Sequence, residues 1–99
     1  MILYHRTSTE AAIAILRQGF RDATGRYMTD RVHTGVWLSD RPLDVNEGVA
    51  GETLLRISLN LSEKQIAEYE WIEEGKGYRE WLIPSELVNT AGTAELESD

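Results

Sequence analysis

Apolar residues arrive in two rhythms along this chain, and the rhythms mark its elements. Ile2 to His5 is short, apolar and β-favouring, and Thr7-Ser8-Thr9-Glu10 follows with the Ser/Thr-x-x-Glu spacing of a capping box. A helix therefore starts there. Ala12, Ile13, Ile15 and Leu16 fall on a helical stripe, Gly19 stands where a C-terminal cap belongs, and Phe20 lies just beyond it. The spacing predicts a helix over about residues 9–18. Residues 21–34 are polar and without period, which predicts a long loop. Gly35 to Ser39 is a strand candidate ended by Asp40-Arg41-Pro42. From Thr53 to Leu61 the period changes to two, with Leu55, Ile57, Leu59 and Leu61 on one face and Arg56, Ser58 and Asn60 on the other. Ser62-x-x-Gln65 repeats the capping spacing and predicts a short helix to about Glu70. Tyr78 to Ile83 is a last strand candidate, stopped by Pro84, and Ser85 to Val88 has room for one helical turn. The polar, acidic remainder reads as a tail. Strands interleaved with two short helices, without repeats, predict an α+β fold. One domain over residues 1–90 and an acidic tail over 91–99 are expected.

Composition narrows the chemistry. The chain has 99 residues, no cysteine and two histidines, His5 and His33. Disulfides, thiolate metal sites and thiol nucleophiles are excluded, and two histidines argue against structural zinc, so no metal is expected. The longest strongly apolar run is Ala11 to Leu16, so no signal peptide or membrane span is expected, and the expected location is the cytoplasm. Net charge is -7, all of it in the second half: residues 1–50 hold six Arg against six Asp/Glu, residues 51–99 four Lys/Arg against eleven. Such a field repels a polyanion, which argues against nucleic acid as a partner. The basic residues of the first half are all arginine, whose guanidinium suits a small phosphate ligand, although ordinary surface arginines look the same in a sequence.

Three positions carry candidate chemistry. His5 closes the first strand, a place where a histidine is more often structural than catalytic. Trp37 sits between Val36 and Leu38 and faces away from both; alone, it reads as a core indole. Glu80 places a carboxylate inside the strand candidate Tyr78-Arg79-Glu80-Trp81-Leu82-Ile83, where carboxylates need a partner or a task. The structural alternative is an ion pair, with Arg79 or Arg56 as partner.

Taken in order, these positions resemble a known set. Leu3-Tyr4-His5-Arg6-Thr7-Ser8 with the helix ending Leu16-Arg17-Gln18-Gly19-Phe20 resembles the first motif of the ADP-ribosyltransferases of the diphtheria-toxin and poly(ADP-ribose)-polymerase type. Gly35-Val36-Trp37-Leu38-Ser39-Asp40 resembles their second motif, and Arg79-Glu80-Trp81-Leu82-Ile83 their third. The resemblance implies a split, mostly antiparallel sheet and cleavage of the nicotinamide–ribose bond of NAD, by transfer to an acceptor or to water. It maps the family's His-Tyr-Glu triad onto His5, Trp37 and Glu80. His5 would then bond a ribose, Trp37 stack on nicotinamide, and Glu80 hold the nicotinamide ribose. NAD would be the co-substrate, with Arg6, Thr7, Arg26, Arg31 and Ser39 as binding residues and Arg17 and Arg41 as further pyrophosphate contacts. Two departures stand out: Arg6 occupies a position where the family usually has Gly, and Trp37 replaces Tyr. The acceptor is not indicated. The alternatives are a non-catalytic NAD- or nucleotide-binding module, and an interaction domain whose acidic second half meets a basic partner.

Overall fold

The computed structural model describes residues 1–25, 33–43 and 51–98. Six strands form one sheet in the order β5-β6-β3-β1-β4-β7, every neighbouring pair antiparallel: β1 Ile2–Thr7, β3 His33–Ser39, β4 Thr53–Leu59, β5 Glu70–Trp71, β6 Glu80–Ile83 and β7 Gly92–Glu97. A further short strand, β2 (Ala23–Gly25), pairs with β3. The expected α+β class is therefore what the chain adopts. Among the described residues no helix is long and apolar enough to cross a membrane.

Helix α1 occupies Thr9–Gln18, the span expected, with its cap at Ser8 and not at the Thr7 that opens the capping-box spacing. Ser8 is the N-cap, its hydroxyl accepting from the Ala11 amide at 3.1 Å, while Thr7 still belongs to β1. The far end matches expectation: Gly19 takes φ 87°, where a side chain is strained, and its amide bonds the Ile15 carbonyl. Phe20 turns into the core, and Asn89 clamps its backbone with both amide atoms, accepting from the Phe20 N–H at 2.7 Å and donating to its carbonyl at 2.9 Å. The second capping box is reciprocal, with Gln65 Oε1 accepting from Ser62 N–H and Ser62 Oγ accepting from Gln65 N–H. It starts a 3-10 helix, Lys64–Tyr69, that places Ile66 in the core.

Two expectations change at the C-terminal side. The single turn after Pro84 extends to a helix, α2, Ser85–Ala91. The segment expected as a tail supplies β7, which pairs with β4 over six residues, from Leu54 opposite Glu97 to Leu59 opposite Gly92. Its acidity misled the reading, because Glu95 and Glu97 project beside Arg56, with Nη1 2.7 Å from Glu95 and Nε 3.8 Å from Glu97. Alternation in β4 is as expected: Leu55, Ile57 and Leu59 are buried and Leu61 packs against the same cluster.

The core lies on one face of the sheet, where Leu3, Val36, Leu38, Leu55, Ile57, Trp81 and Ile83 meet Ala12 and Ile15 of α1, Val88 of α2 and Ile66. Each fully buried aliphatic side chain contributes about 1.5–3 kcal/mol relative to exposure. On the opposite face, register pairs Trp37 with Leu82, and Ser39 with both Glu80 and Tyr4.

Gly51 marks the tightest backbone approach. A Cβ there would lie 2.5 Å from the Thr7 carbonyl group, and its φ of 131° is one that L side chains rarely adopt. Gly51→Ala is expected to destabilise the fold by about 2 kcal/mol or more, read as a lowered urea midpoint at unchanged slope.

Candidate functional site

The sheet divides where β1 meets β3. Their ladder consists of a single pair, Tyr4 opposite Ser39, whereas β1 pairs with β4 along all six of its residues. Beyond the pair a side chain takes over: His5 Nδ1 lies 2.8 Å from the Trp37 carbonyl oxygen. A carbonyl only accepts, so Nδ1 carries the proton and donates, and Nε2 is left with its lone pair. The ring sits edge-on to Phe20, centroids 5.4 Å apart. Burial holds the imidazole pKa below its ordinary value, and the bond to the Trp37 carbonyl opposes that only in part. His5 is thus a neutral imidazole of fixed tautomer at neutral pH.

Next to it lies a cleft of about 330 Å³ between α1 and β3, lined by His5, Ala11, Ile15, Phe20, Arg21 and Trp37 among others. Its wall is largely apolar, with Gln18 and Arg21 bonded to each other at 3.2 Å. The volume is at the low end of the ~300–1,000 Å³ typical of small-molecule sites.

Trp37 and Glu80 belong to the other face of the sheet, since Glu80 pairs with Ser39 and Trp37 with Leu82. The Trp37 ring meets Trp71 edge to face at 5.5 Å, and Trp71 lies opposite Glu80 in the β5–β6 ladder. The structure therefore brings His5 to Trp37 and sets Trp37 and Glu80 on one face, but alternation along β1 sends the His5 ring, like Leu3, toward the core side. Trp37 is half-buried within an aromatic pair and is not the core indole that its neighbours alone suggest.

Glu80 does have a salt-bridge partner, and it is neither of the two expected. Lys76 Nζ lies 3.1 Å from Glu80 Oε1, with side chains only 8% and 12% exposed. Arg79, the residue before β6, points to the other side, where it forks onto Glu70 at 2.8 and 2.9 Å, meets Glu63 at 2.6 Å and lies over the Trp81 ring. These contacts hold the Arg79 guanidinium above and the Glu70 carboxyl below their ordinary pKa values, hydrogen bonding between the two being the main cause. Arg56 is occupied by Glu95 and Glu97.

The expected binding residues divide in the same way. Arg6 donates from Nε to the Leu43 carbonyl and from Nη1 to the Gly51 carbonyl at 3.4 Å, tying two distant stretches of chain to β1. Ser39 is buried, its hydroxyl 2.7 Å from the Arg41 carbonyl and 3.3 Å from that of Tyr4, so its proton serves the turn after β3. Thr7 ends β1 opposite Thr53. Arg17 is in the last turn of α1, and Arg41 lies over the Tyr78 ring at 5.6 Å. Arg26 and Arg31 lie outside the described residues. Sequence reasoning missed Lys76 and Trp71. Gly75-Lys76-Gly77 reads as a turn, and nothing in a turn signal shows that its lysine folds inward. No group of three or more His, Asp or Glu side chains suited to a metal occurs among the described residues.

No family model, curated protein or solved structure matches the chain.

The buried, neutral His5 gives a pH dependence of definite sign. Its folded pKa is lowered from 6.5, so as pH falls the unfolded chain takes up the proton first. Stability is then fully present above about pH 6.5 and declines from there down to the folded value. His5→Gln, which can still donate to the Trp37 carbonyl, is expected to flatten the unfolding free energy between about pH 7.5 and 5.5 relative to the parent chain. The same change of unfolding free energy with pH in the two proteins would exclude His5 as the source.

Proposed function

We propose that this chain binds NAD at the division between β1 and β3 and cleaves its nicotinamide–ribose bond, as an ADP-ribosyltransferase or NAD glycohydrolase. The observation that carries the reading is topological. The three motif strands, distant in sequence, lie side by side as β1, β3 and β6, and the sheet opens between the first two. Trp37 joins the parts: its carbonyl holds His5, and its ring shares a face with Glu80.

The chemistry asked of these residues is modest. The glycosidic C–N bond breaks with its electron pair leaving on nicotinamide, and water or an acceptor nucleophile adds to the ribose carbon, losing a proton. The transition state has oxocarbenium character, which a fixed carboxylate stabilises. Glu80 is such a group, and Trp37 offers a large π-face for the planar leaving ring. His5 Nε2 can accept from a ribose hydroxyl in the cleft.

A second reading draws on a different observation. Glu80 is held by Lys76 and the His5 ring turns to the core side, an arrangement suited to a nucleotide-binding module that performs no cleavage.

NAD or ADP-ribose is expected to raise the melting temperature, since binding at a hundredfold excess over Kd adds about 2.7 kcal/mol. Glu80→Gln is expected to slow nicotinamide release by about two to three orders of magnitude, with NAD affinity little changed. Stabilisation by NAD without any nicotinamide release selects the binding module, and absence of stabilisation refutes both readings.

A further inference from the structure

Lys76 is the most deeply buried cation for which the structure gives an exposure, and it does more than neutralise Glu80. It stands in the connection between β5 and β6, at a turn made possible by Gly75 at φ 79°. From there the side chain folds inward until only 8% of it is exposed. An ammonium has three protons, and each is accounted for: Glu80 Oε1 at 3.1 Å, the Trp71 carbonyl at 3.4 Å, and the Tyr78 ring, whose centroid is 5.0 Å away. Glu73, at 4.0 Å, completes the surroundings.

The carboxylate is held less completely. Lys76 takes Oε1, and no described residue bonds Oε2. The buried side-chain atom left without a partner among the described residues is Trp81 Nε1 and not Oε2, and the Glu80 side chain retains 12% of its exposure. Glu80 thus has one oxygen fixed by a three-point ammonium clamp and one presented beyond it, on the face shared with Trp37. A purely structural ion pair gains most when its second oxygen is also bonded within the protein.

We infer that Lys76 is a positioning residue: it fixes the rotamer of Glu80 through Oε1 so that Oε2 meets a hydroxyl of the ribosyl group undergoing cleavage. This rests on the NAD-cleaving reading. An ammonium 3.1 Å away also weakens the field of the carboxylate, so a latch that restrains Glu80 predicts faster turnover on its removal, whereas positioning predicts slower turnover.

The experiment is steady-state nicotinamide release from NAD by the wild type, Lys76→Met, Lys76→Arg, Glu80→Gln and the Lys76→Met/Glu80→Gln double variant, with the folded fraction measured for each. Lys76→Met is expected to lower kcat about ten- to a hundredfold with KM within about twofold, and Lys76→Arg to recover most of the loss. In the Glu80→Gln background Lys76→Met is expected to change kcat little, because its effect passes through Glu80. Unchanged or raised kcat in Lys76→Met overturns the inference and leaves the NAD reading standing, as does an equal loss in the Glu80→Gln background. A folded wild type that releases no nicotinamide overturns the NAD-cleaving reading and the positioning role together.

Discussion

The candidate site exists because β1 and β3 stop pairing after one residue pair. In a sheet every backbone N–H and C=O facing a neighbour needs a partner, and a strand that leaves its neighbour exposes those groups. Here the His5 ring meets part of that demand by bonding the Trp37 carbonyl, so the opening is lined by an imidazole and an apolar helix face. Continuous pairing on the β4 side makes the parting affordable: β1 is held along its whole length there, and β4 is held in turn by β7. On the other side β3 keeps four consecutive pairs with β6. The continuous ladders are those away from the gap.

Charge is organised locally although its total is lopsided. Three of the four basic residues in the second half lie against carboxylates: Arg56 with Glu95 and Glu97, Lys76 with Glu80, and Arg79 with Glu63 and Glu70. Only the second pair is well shielded from water, and there the carboxylate stays buried because the ammonium stays with it. The others are partly exposed contacts that salt weakens. The arginine-rich first half also spends cations on structure. Arg6, placed by its motif at a ligand, reaches backbone carbonyls, because β1 has to be fastened to the chain on either side of residues 44–50.

What the sequence disclosed was mainly local. Ser8, Gly19 and the Ser62/Gln65 pair fix helix ends through bonds within a few residues, and β4 announces its buried face by alternation. The resemblance implied a split, mostly antiparallel sheet, but not the strand order that sets the three motifs side by side. The energetic basis of that order, which residue meets which across the sheet, has no local signature. The strand β7 was hidden because its glutamates look like solvated tail residues until Arg56 is seen beside them. Glu80 was legible as a carboxylate out of place, but its partner was not: the adjacent Arg79 turns to Glu63 and Glu70, while a lysine four residues back reaches it through a turn.

The arrangement of the ladders also bears on how the chain reaches this state. β1 pairs with β4 across about fifty residues of intervening sequence, and its single ladder pair with β3, Tyr4 opposite Ser39, spans 35 residues. Sheets assembled from such distant segments must close large loops before any pairing rewards them, so they form slowly. The hairpin-like pairing of β5 with β6 and the short helices can form early, but none of them contains the division between β1 and β3. The opening beside His5 is therefore framed by pairings of long sequence separation, and strands that must wait for such partners keep unpaired edges at which two unfinished chains can meet.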